Sequence, residues 1–168
     1  MLDSIMSMQL TGLARQLYSD ETPTAVGNRH PVTYPVDSFP TKNGDVVMVC
    51  FSEASFQNLS KLMANPKLAE DPRFATNDDR NANEAVLREL IEEWTLTLNQ
   101  DEVINMLVDA GIPAAPVWDL DQLTKSNHVI ARDMIVTGKH QKFGDVPIVP
   151  QPVQFSEARA TNKPIIPT

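Results

Sequence analysis

The spacing of prolines constrains this chain more than any other feature of its sequence. Pro31, Pro35 and Pro40 fall within ten residues, and each disfavours helix at the residue before it. The segment from Gly27 to Gly44 is therefore predicted to be rigid and non-helical. Gly27 stands at its head, where a residue without a side chain allows another chain or a ligand to approach closely.

Two interpretations of this segment remain open. Arg29 supplies a planar fork of donors and His30 an imidazole, and both groups pair with phosphate or carboxylate. The segment would then be a built binding site. Alternatively it is a rigid surface crossover whose Arg29 and His30 contact only water, since most rigid loops have no ligand.

The N-terminal residues predict a helix over residues 1–22. The residues at helical spacing are Leu2, Ile5, Met6, Gln9, Leu10, Leu13 and Leu17. Their apolar stripe has no obvious partner elsewhere in the chain, so we expect self-association through this helix, giving a homo-oligomer.

A hairpin and a capped helix are predicted next. Asn43-Gly44 is a strong turn signal between extended segments at 34–41 and 45–51. Ser52 is a candidate cap for the helix that follows. Residues 71–83 are predicted to be irregular.

Further helices and short strands complete the predicted body. Residues 86–98 show a helical face, and a second helix, with a capping box at Asn99 and Glu102, is expected to close at Gly111. The proline-rich run 112–117 should lie at a sheet edge. Beyond it we expect a short helix at 119–124 and extended pieces at 134–137, 146–149 and 153–155.

The fold class is therefore α+β, with an N-terminal linker helix followed by a small antiparallel sheet packed with helices. We assign residues 1–22 to the linker helix, 23–160 to a small domain and 161–168 to a loose tail.

Charge and composition exclude several classes of partner. The chain has a net charge of −8 and a pI near 4.8, which argue against binding nucleic acid or an anionic membrane. The sequence shows no apolar stretch long enough to cross a bilayer, so a cytoplasmic location is expected. Cys50, the single cysteine, lies in an apolar run and is predicted to be a buried, inert thiol. His30, His128 and His140 are too scattered to predict a metal site.

Several segments carry a family resemblance that covers essentially the whole chain. Besides residues 27–44, they are Asp71-Pro72-Arg73-Phe74 with Arg80 and Asn83, Trp94, the run 111–117, His128 with 131–134, and 152–156. In this order they resemble the C-terminal part of the family III CoA transferases (CaiB/BaiF type). That family includes formyl-CoA and carnitine CoA transferases and the alpha-methylacyl-CoA racemases, and its members are more than twice as long.

The resemblance implies a role at an acyl-CoA site. Gly27, Asn28, Arg29 and His30 match the position of a loop that closes over acyl-CoA in the transferases, and they are the predicted ligand-binding residues. The family's aspartate nucleophile belongs to a large N-terminal domain, and no residue here is assigned that role. We therefore expect a fragment or short gene product that is inactive alone and binds acyl-CoA, as substrate and not as a covalent cofactor, only when an N-terminal domain or subunit completes it.

Glu53 is the candidate catalytic residue. With Phe56 it resembles the racemase branch, where an acid at this place assists near the substrate's alpha carbon. The alternative is that Glu53 is an ionised residue of the first helical turn, where carboxylates are common. For the whole chain, the rival interpretation is a non-catalytic binding or assembly module that keeps the fold.

Overall fold

The computed structural model describes residues 1–153, and these residues form two units. The first unit runs from Met1 to Val117 and the second begins at Trp118. Most of the strand expected at 153–155 and all of the tail expected at 161–168 lie outside the described residues. The assignment of 23–160 to one domain stays a prediction.

The N-terminal segment forms two helices instead of the single helix expected over residues 1–22. Helix α1 spans Leu2–Met8 and α2 spans Leu10–Ser19. They are separated by Gln9, whose φ of −92° and ψ of 33° depart from helical values. Ser4 and Ser7 before Gln9 and Thr11 and Gly12 after it have low helix propensity, which makes this segment easy to interrupt. Neither helix contains a buried residue.

A three-stranded antiparallel sheet organises the first unit. Its strands are β1 (Val36–Thr41), β2 (Gly44–Val49) and β3 (Ala114–Val117), in the order β1-β2-β3. Thr41 pairs with Gly44, which confirms the hairpin predicted at Asn43-Gly44. Strand β3 lies at the edge of the sheet, where its proline, Pro116, is tolerated.

Four α-helices lie between β2 and β3 in the chain. They are α3 (Glu53–Leu62), α4 (Asn77–Ala82), α5 (Glu84–Thr95) and α6 (Gln100–Asp109), with a 3-10 helix at Pro66–Glu70. Helix α5 contacts β1, and α6 contacts β2 and β3. Alternate residues of β1 are buried, so one face of this strand belongs to the core.

The core is a single cluster of apolar side chains from the sheet, the helices and their connections. Its fully buried aromatic and aliphatic members are Tyr34, Phe39, Val46, Met48, Phe56, Leu59, Phe74, Leu87, Ile91, Val103, Leu107 and Ile112. Phe74 anchors the 71–83 segment in this cluster.

Local hydrogen bonds explain where the helices begin and end. The Ser52 side chain accepts from the Ser55 N–H, which confirms the predicted cap. Asn99 and Glu102 form the predicted capping box of α6, and Gly111 follows that helix with a φ of +75°.

The prediction that residues 71–83 are irregular was wrong in part, because α4 lies within them. A capping box between Thr76 and Asp79 fixes the start of this helix. Only six residues long, α4 is too short to produce a clear hydrophobic period in the sequence.

The second unit contains two short helices and a separate two-stranded sheet. Helices α7 (Leu120–Lys125) and α8 (Asn127–Ala131) precede the antiparallel strands β4 (Val136–His140) and β5 (Gly144–Ile148). Helix α7 and the two extended pieces that overlap β4 and β5 were expected, whereas α8 was not. None of the helices among residues 1–153 has the length and apolarity that a membrane span requires.

Candidate functional site

A buried guanidinium links Glu53 to the proline-rich segment. Arg80, on α4, has no exposed surface. Its Nη1 and Nη2 donate to the two carboxylate oxygens of Glu53, each at 2.9 Å. Its Nε donates to the Tyr34 carbonyl at 3.0 Å, and Nη1 also donates to the Phe74 carbonyl at 3.0 Å. Arg80 therefore ties the start of α3 to the middle of the proline-rich segment.

An aromatic ring completes the surroundings of this guanidinium. The Arg80 Cζ lies 4.6 Å from the ring centroid of Phe56, a distance at which the ring face attracts a cation. Planar guanidinium groups suit such sites because they form two parallel hydrogen bonds with one carboxylate and still stack on a ring.

Glu53 is ionised and fully engaged. The hydrogen bonds from Arg80 hold the pKa of this carboxyl below its usual range. The Glu53 side chain is nevertheless 58% exposed, so a ligand could reach it. A carboxylate with a lowered pKa and both oxygens bound is a weak proton acceptor, which favours the structural role over the role of a base.

The segment at Gly27–His30 is held against β1. Gly27 has a φ of +72°, a conformation that favours glycine. The Asn28 side chain donates to the Ser38 hydroxyl at 3.1 Å, and the His30 N–H donates to the Val36 carbonyl at 2.8 Å. The predicted binding segment is therefore a fixed loop with contacts on both sides of Arg29.

The His30 side chain supports the turn that follows it. Its Nδ1 accepts hydrogen bonds from the N–H groups of Val32, at 3.3 Å, and Thr33, at 3.1 Å. A ring nitrogen that accepts is unprotonated, so Nε2 is the atom left to meet a ligand. The side chains of Asn77 and Asn81 donate to the Val32 carbonyl, each at 2.8 Å, and fix the turn to α4.

Arg29 is already paired with an acid on α5. Its Nε lies 3.1 Å from Oε2 of Glu84. The other oxygen of Glu84, Oε1, lies 3.9 Å from Nε of Arg88. Arg88 also contacts the buried carboxylate of Asp37 and lies 2.8 Å from Glu92. Arg29 thus belongs to an ionic cluster that joins the loop, β1 and α5.

The two predicted sites, Gly27–His30 and Glu53, do not contact each other directly. Among residues 1–153, no ion pair or hydrogen bond links Arg29 to Glu53. Glu53 reaches the proline-rich segment through Arg80 and Tyr34, whereas Arg29 contacts α5.

The sequence did not predict the ion-pair partners of Glu53 and Arg29. The acid that pairs with Arg80 is Glu53, which lies 27 positions earlier in the chain. Glu84 and Arg88 are four residues apart on one helix face, a spacing that predicts their contact but not the third member, Arg29.

The remaining candidates show no reactive arrangement. Cys50 is buried, and desolvation raises the pKa of its thiol to about 12, as expected of an inert cysteine. In the second unit, a cleft of about 520 Å³ is lined by side chains that include Trp118, Lys125 and His128, and it contains no predicted site residue. Within residues 1–153, no group of three or more His, Cys, Asp or Glu side chains is arranged to hold a metal ion.

Comparison with known proteins places these features in a family. A family model described as CoA-transferase family III matches residues 1–168. The chain is 31% identical over 159 residues to the succinyl-CoA:mesaconate CoA-transferase of Haloarcula hispanica, covering 94% of this chain and 39% of that protein. It is 31% identical over 154 residues to the formyl-CoA:oxalate CoA-transferase of Streptomyces coelicolor, covering 89% and 37%.

A solved structure shows the same fold. The crystal structure of a CAIB/BAIF family protein from Brucella suis has a TM-score of 0.78 and 30% identity, over 91% of this chain and 39% of that one. The chain therefore spans about two fifths of the length of the proteins that it resembles.

Proposed function

Because the chain belongs to CoA-transferase family III, we propose that it acts as the small domain of an acyl-CoA transferase. In this role Gly27–His30 covers the acyl-CoA site, and the attacking aspartate comes from a large domain outside these 168 residues. The observation that supports the proposal most strongly is the construction of this loop. The loop is hydrogen-bonded to β1 on either side of Arg29. It carries the Arg29 guanidinium on a segment that belongs to no helix or strand.

The chemistry explains why a cover is needed. The aspartate carboxylate attacks the thioester carbonyl and expels CoA thiolate, leaving a mixed anhydride. The thiolate then attacks the aspartyl carbonyl, releases the acyl group as a carboxylate and leaves an enzyme-bound CoA thioester. The acceptor acid repeats these steps in reverse order. Water would hydrolyse both intermediates, so a fixed loop over the site protects them.

Glu53 bears on the choice between transferase and racemase-like chemistry. In a racemase-like enzyme, Glu53 would act near the substrate's alpha carbon. Both of its oxygens accept from Arg80, so it would have to give up one of these bonds before it could accept a proton. This arrangement favours the transferase.

Binding and turnover test the proposal separately. We expect the purified chain to transfer no CoA between carboxylic acids when thioesters are followed by mass spectrometry. When a family III large domain is supplied as a separate polypeptide, we expect calorimetry to show acyl-CoA binding whose affinity is reduced by Arg29→Ala. Arg73→Ala is the matched control. It also removes one arginine from an ion pair, but that pair is with Asp71 and does not involve the loop. Turnover by the chain alone, or equal binding by the Arg29→Ala variant, would contradict the proposal.

A second candidate function is a non-catalytic assembly module. The observation that favours it is the exposed apolar surface of the first two helices. It comprises Met1, Leu2, Ile5, Met6, Met8, Leu10, Leu17 and Tyr18. A stable homo-oligomer that binds no acyl-CoA would support this function instead.

A further inference from the structure

The ion pair between Arg29 and Glu84 has a consequence for ligand binding at the proposed cover. We propose that Glu84 is an internal counter-ion that occupies Arg29 until an oxyanion of the ligand displaces it. This inference rests on the proposed function, because it concerns the same loop. It makes Glu84 a residue that determines how tightly, and for which anion, Arg29 binds.

The pair is accessible and weak enough to exchange. The side chains of Arg29 and Glu84 are 21% and 29% exposed, so solvent and ligands reach both. Their shortest contact is Nε to Oε2 at 3.1 Å. Ion pairs between partly hydrated side chains contribute little to stability and break readily.

Glu84 has a second partner to which it can move. Arg88 lies one helical turn further along α5, with its Nε 3.9 Å from Oε1 of Glu84. A carboxylate released from Arg29 therefore keeps a cationic neighbour, which lowers the cost of the exchange. Residues at this spacing lie on the same face of the helix.

The charge of the cluster disfavours a ligand that arrives while Glu84 stays in place. Two guanidinium groups, of Arg29 and Arg88, face three carboxylates, of Asp37, Glu84 and Glu92. The cluster is thus negative by one charge, and an incoming phosphate or carboxylate is repelled by Glu84. Displacement of Glu84 frees the Arg29 guanidinium and moves this carboxylate away from the ligand, which weakens the repulsion.

The loop does not depend on this ion pair for its position. The Asn28 side chain is bound to Ser38, and the His30 N–H is bound to Val36. Loss of the Arg29–Glu84 contact therefore releases a side chain and leaves the backbone in place. Glu84 therefore acts as a competing counter-ion of Arg29 and is not needed to hold the loop in place.

The test measures anion binding in charge-matched variants. Inorganic pyrophosphate and succinate, which represent phosphate and carboxylate oxyanions, are titrated into the wild-type chain, Glu84→Gln and Glu93→Gln. Glu93, on the same helix and exposed, supplies an equal change of charge. We expect Glu84→Gln to bind one of the anions about three- to tenfold more tightly, the range that removal of a weak competing ion pair gives. Glu93→Gln should not differ from wild type.

A double variant decides whether the gain passes through Arg29. In Arg29→Ala/Glu84→Gln the gain should disappear, and the anion with the larger effect identifies the source of the oxyanion. Equal affinities in wild type and Glu84→Gln, a gain that survives without Arg29, or binding of neither anion would overturn the inference. Because these titrations use no CoA, their outcome is independent of whether the chain binds acyl-CoA.

Discussion

At the scale of single residues, Arg80 places a positive charge in the interior of the first unit. Its guanidinium is wholly buried, and its carboxylate partner is Glu53. A buried charge without its counter-ion is strongly destabilising. Two backbone carbonyls satisfy part of the hydrogen-bonding capacity of Arg80 but carry no net charge.

Glu53→Gln is therefore expected to lower the free energy of unfolding by about 2 kcal/mol, less than for a fully buried pair because Glu53 is partly hydrated. Urea denaturation of both proteins measures this difference. Asp71→Asn is the control, since it removes a carboxylate from the exposed pair with Arg73 and should change the unfolding free energy by less than about 0.5 kcal/mol. Equal losses in the two variants would show that Arg80 needs no counter-ion.

The pH dependence of stability follows from the lowered pKa of Glu53. A carboxyl whose pKa is lower in the folded state stabilises the fold above its unfolded pKa, and this contribution is lost as the pH falls through the folded pKa. The difference in unfolding free energy between wild type and Glu53→Gln should be constant above about pH 5 and shrink at lower pH. Denaturation curves at a series of pH values test this, and a difference that does not change with pH would contradict it.

Cys50 should resist alkylation in the folded protein. With a pKa of about 12, its thiolate is scarce at pH 8. We expect iodoacetamide to react roughly a thousandfold more slowly with the native chain than with the urea-unfolded chain. Mass spectrometry of timed samples gives both rates, and similar rates would show that the β2–α3 junction opens frequently.

The sequence predicts the identities of the site residues better than their partners. Proline spacing, a local signal, singled out the loop at Gly27–His30, and the family resemblance singled out Glu53; both assignments stay predictions. The pairing of Arg80 with Glu53, and of Arg29 with Glu84, joins positions far apart in the chain. A single sequence contains no information on such long-range contacts.

At the scale of secondary structure, local capping and turn chemistry decided most element boundaries. The Asn43-Gly44 turn and the caps at Ser52 and Asn99 were predictable because their hydrogen bonds span only a few residues. The break at Gln9 and helix α4 were not, because neither produces a long hydrophobic period.

Gly44, which begins β2, and Gly111, which follows α6, should differ in their sensitivity to substitution. Gly111→Ala places a Cβ in open space, so only the positive φ of +75° opposes it, at a cost of about 1 kcal/mol. At Gly44 the new Cβ would lie 2.9 Å from Nε2 of Gln100, which donates to the Asp45 carbonyl. Gly44→Ala should therefore cost about 2 kcal/mol. Thermal unfolding of both variants tests the order, and a larger loss at Gly111 would contradict it.

At the scale of the whole molecule, the first two helices are the part of the first unit that contributes least to its core. They contain no buried residue and expose most of their apolar side chains. Deletion of residues 1–22 should leave the melting temperature nearly unchanged and reduce self-association. Light scattering after size-exclusion chromatography measures the second effect. A large fall in melting temperature would show that these helices support the core, and unchanged assembly would place the contact elsewhere.

The family was predictable from the order of short segments, whereas the division into two units was not. Each segment alone is short, but together they extend over the whole chain, and the family match covers residues 1–168. The boundary at Val117 falls where a proline-rich edge strand ends, with no change in composition to mark it.

The contacts of Arg80 also predict how the first unit opens. The Arg80 side chain donates to the carbonyls of Tyr34 and Phe74 and to the carboxylate of Glu53, which begins α3. Three segments of the chain are therefore held by one side chain. Amide hydrogens around these segments should therefore exchange with solvent deuterium at a common rate, as one cooperative unit. Arg80→Met should accelerate all three together and leave the hairpin of the second unit unaffected.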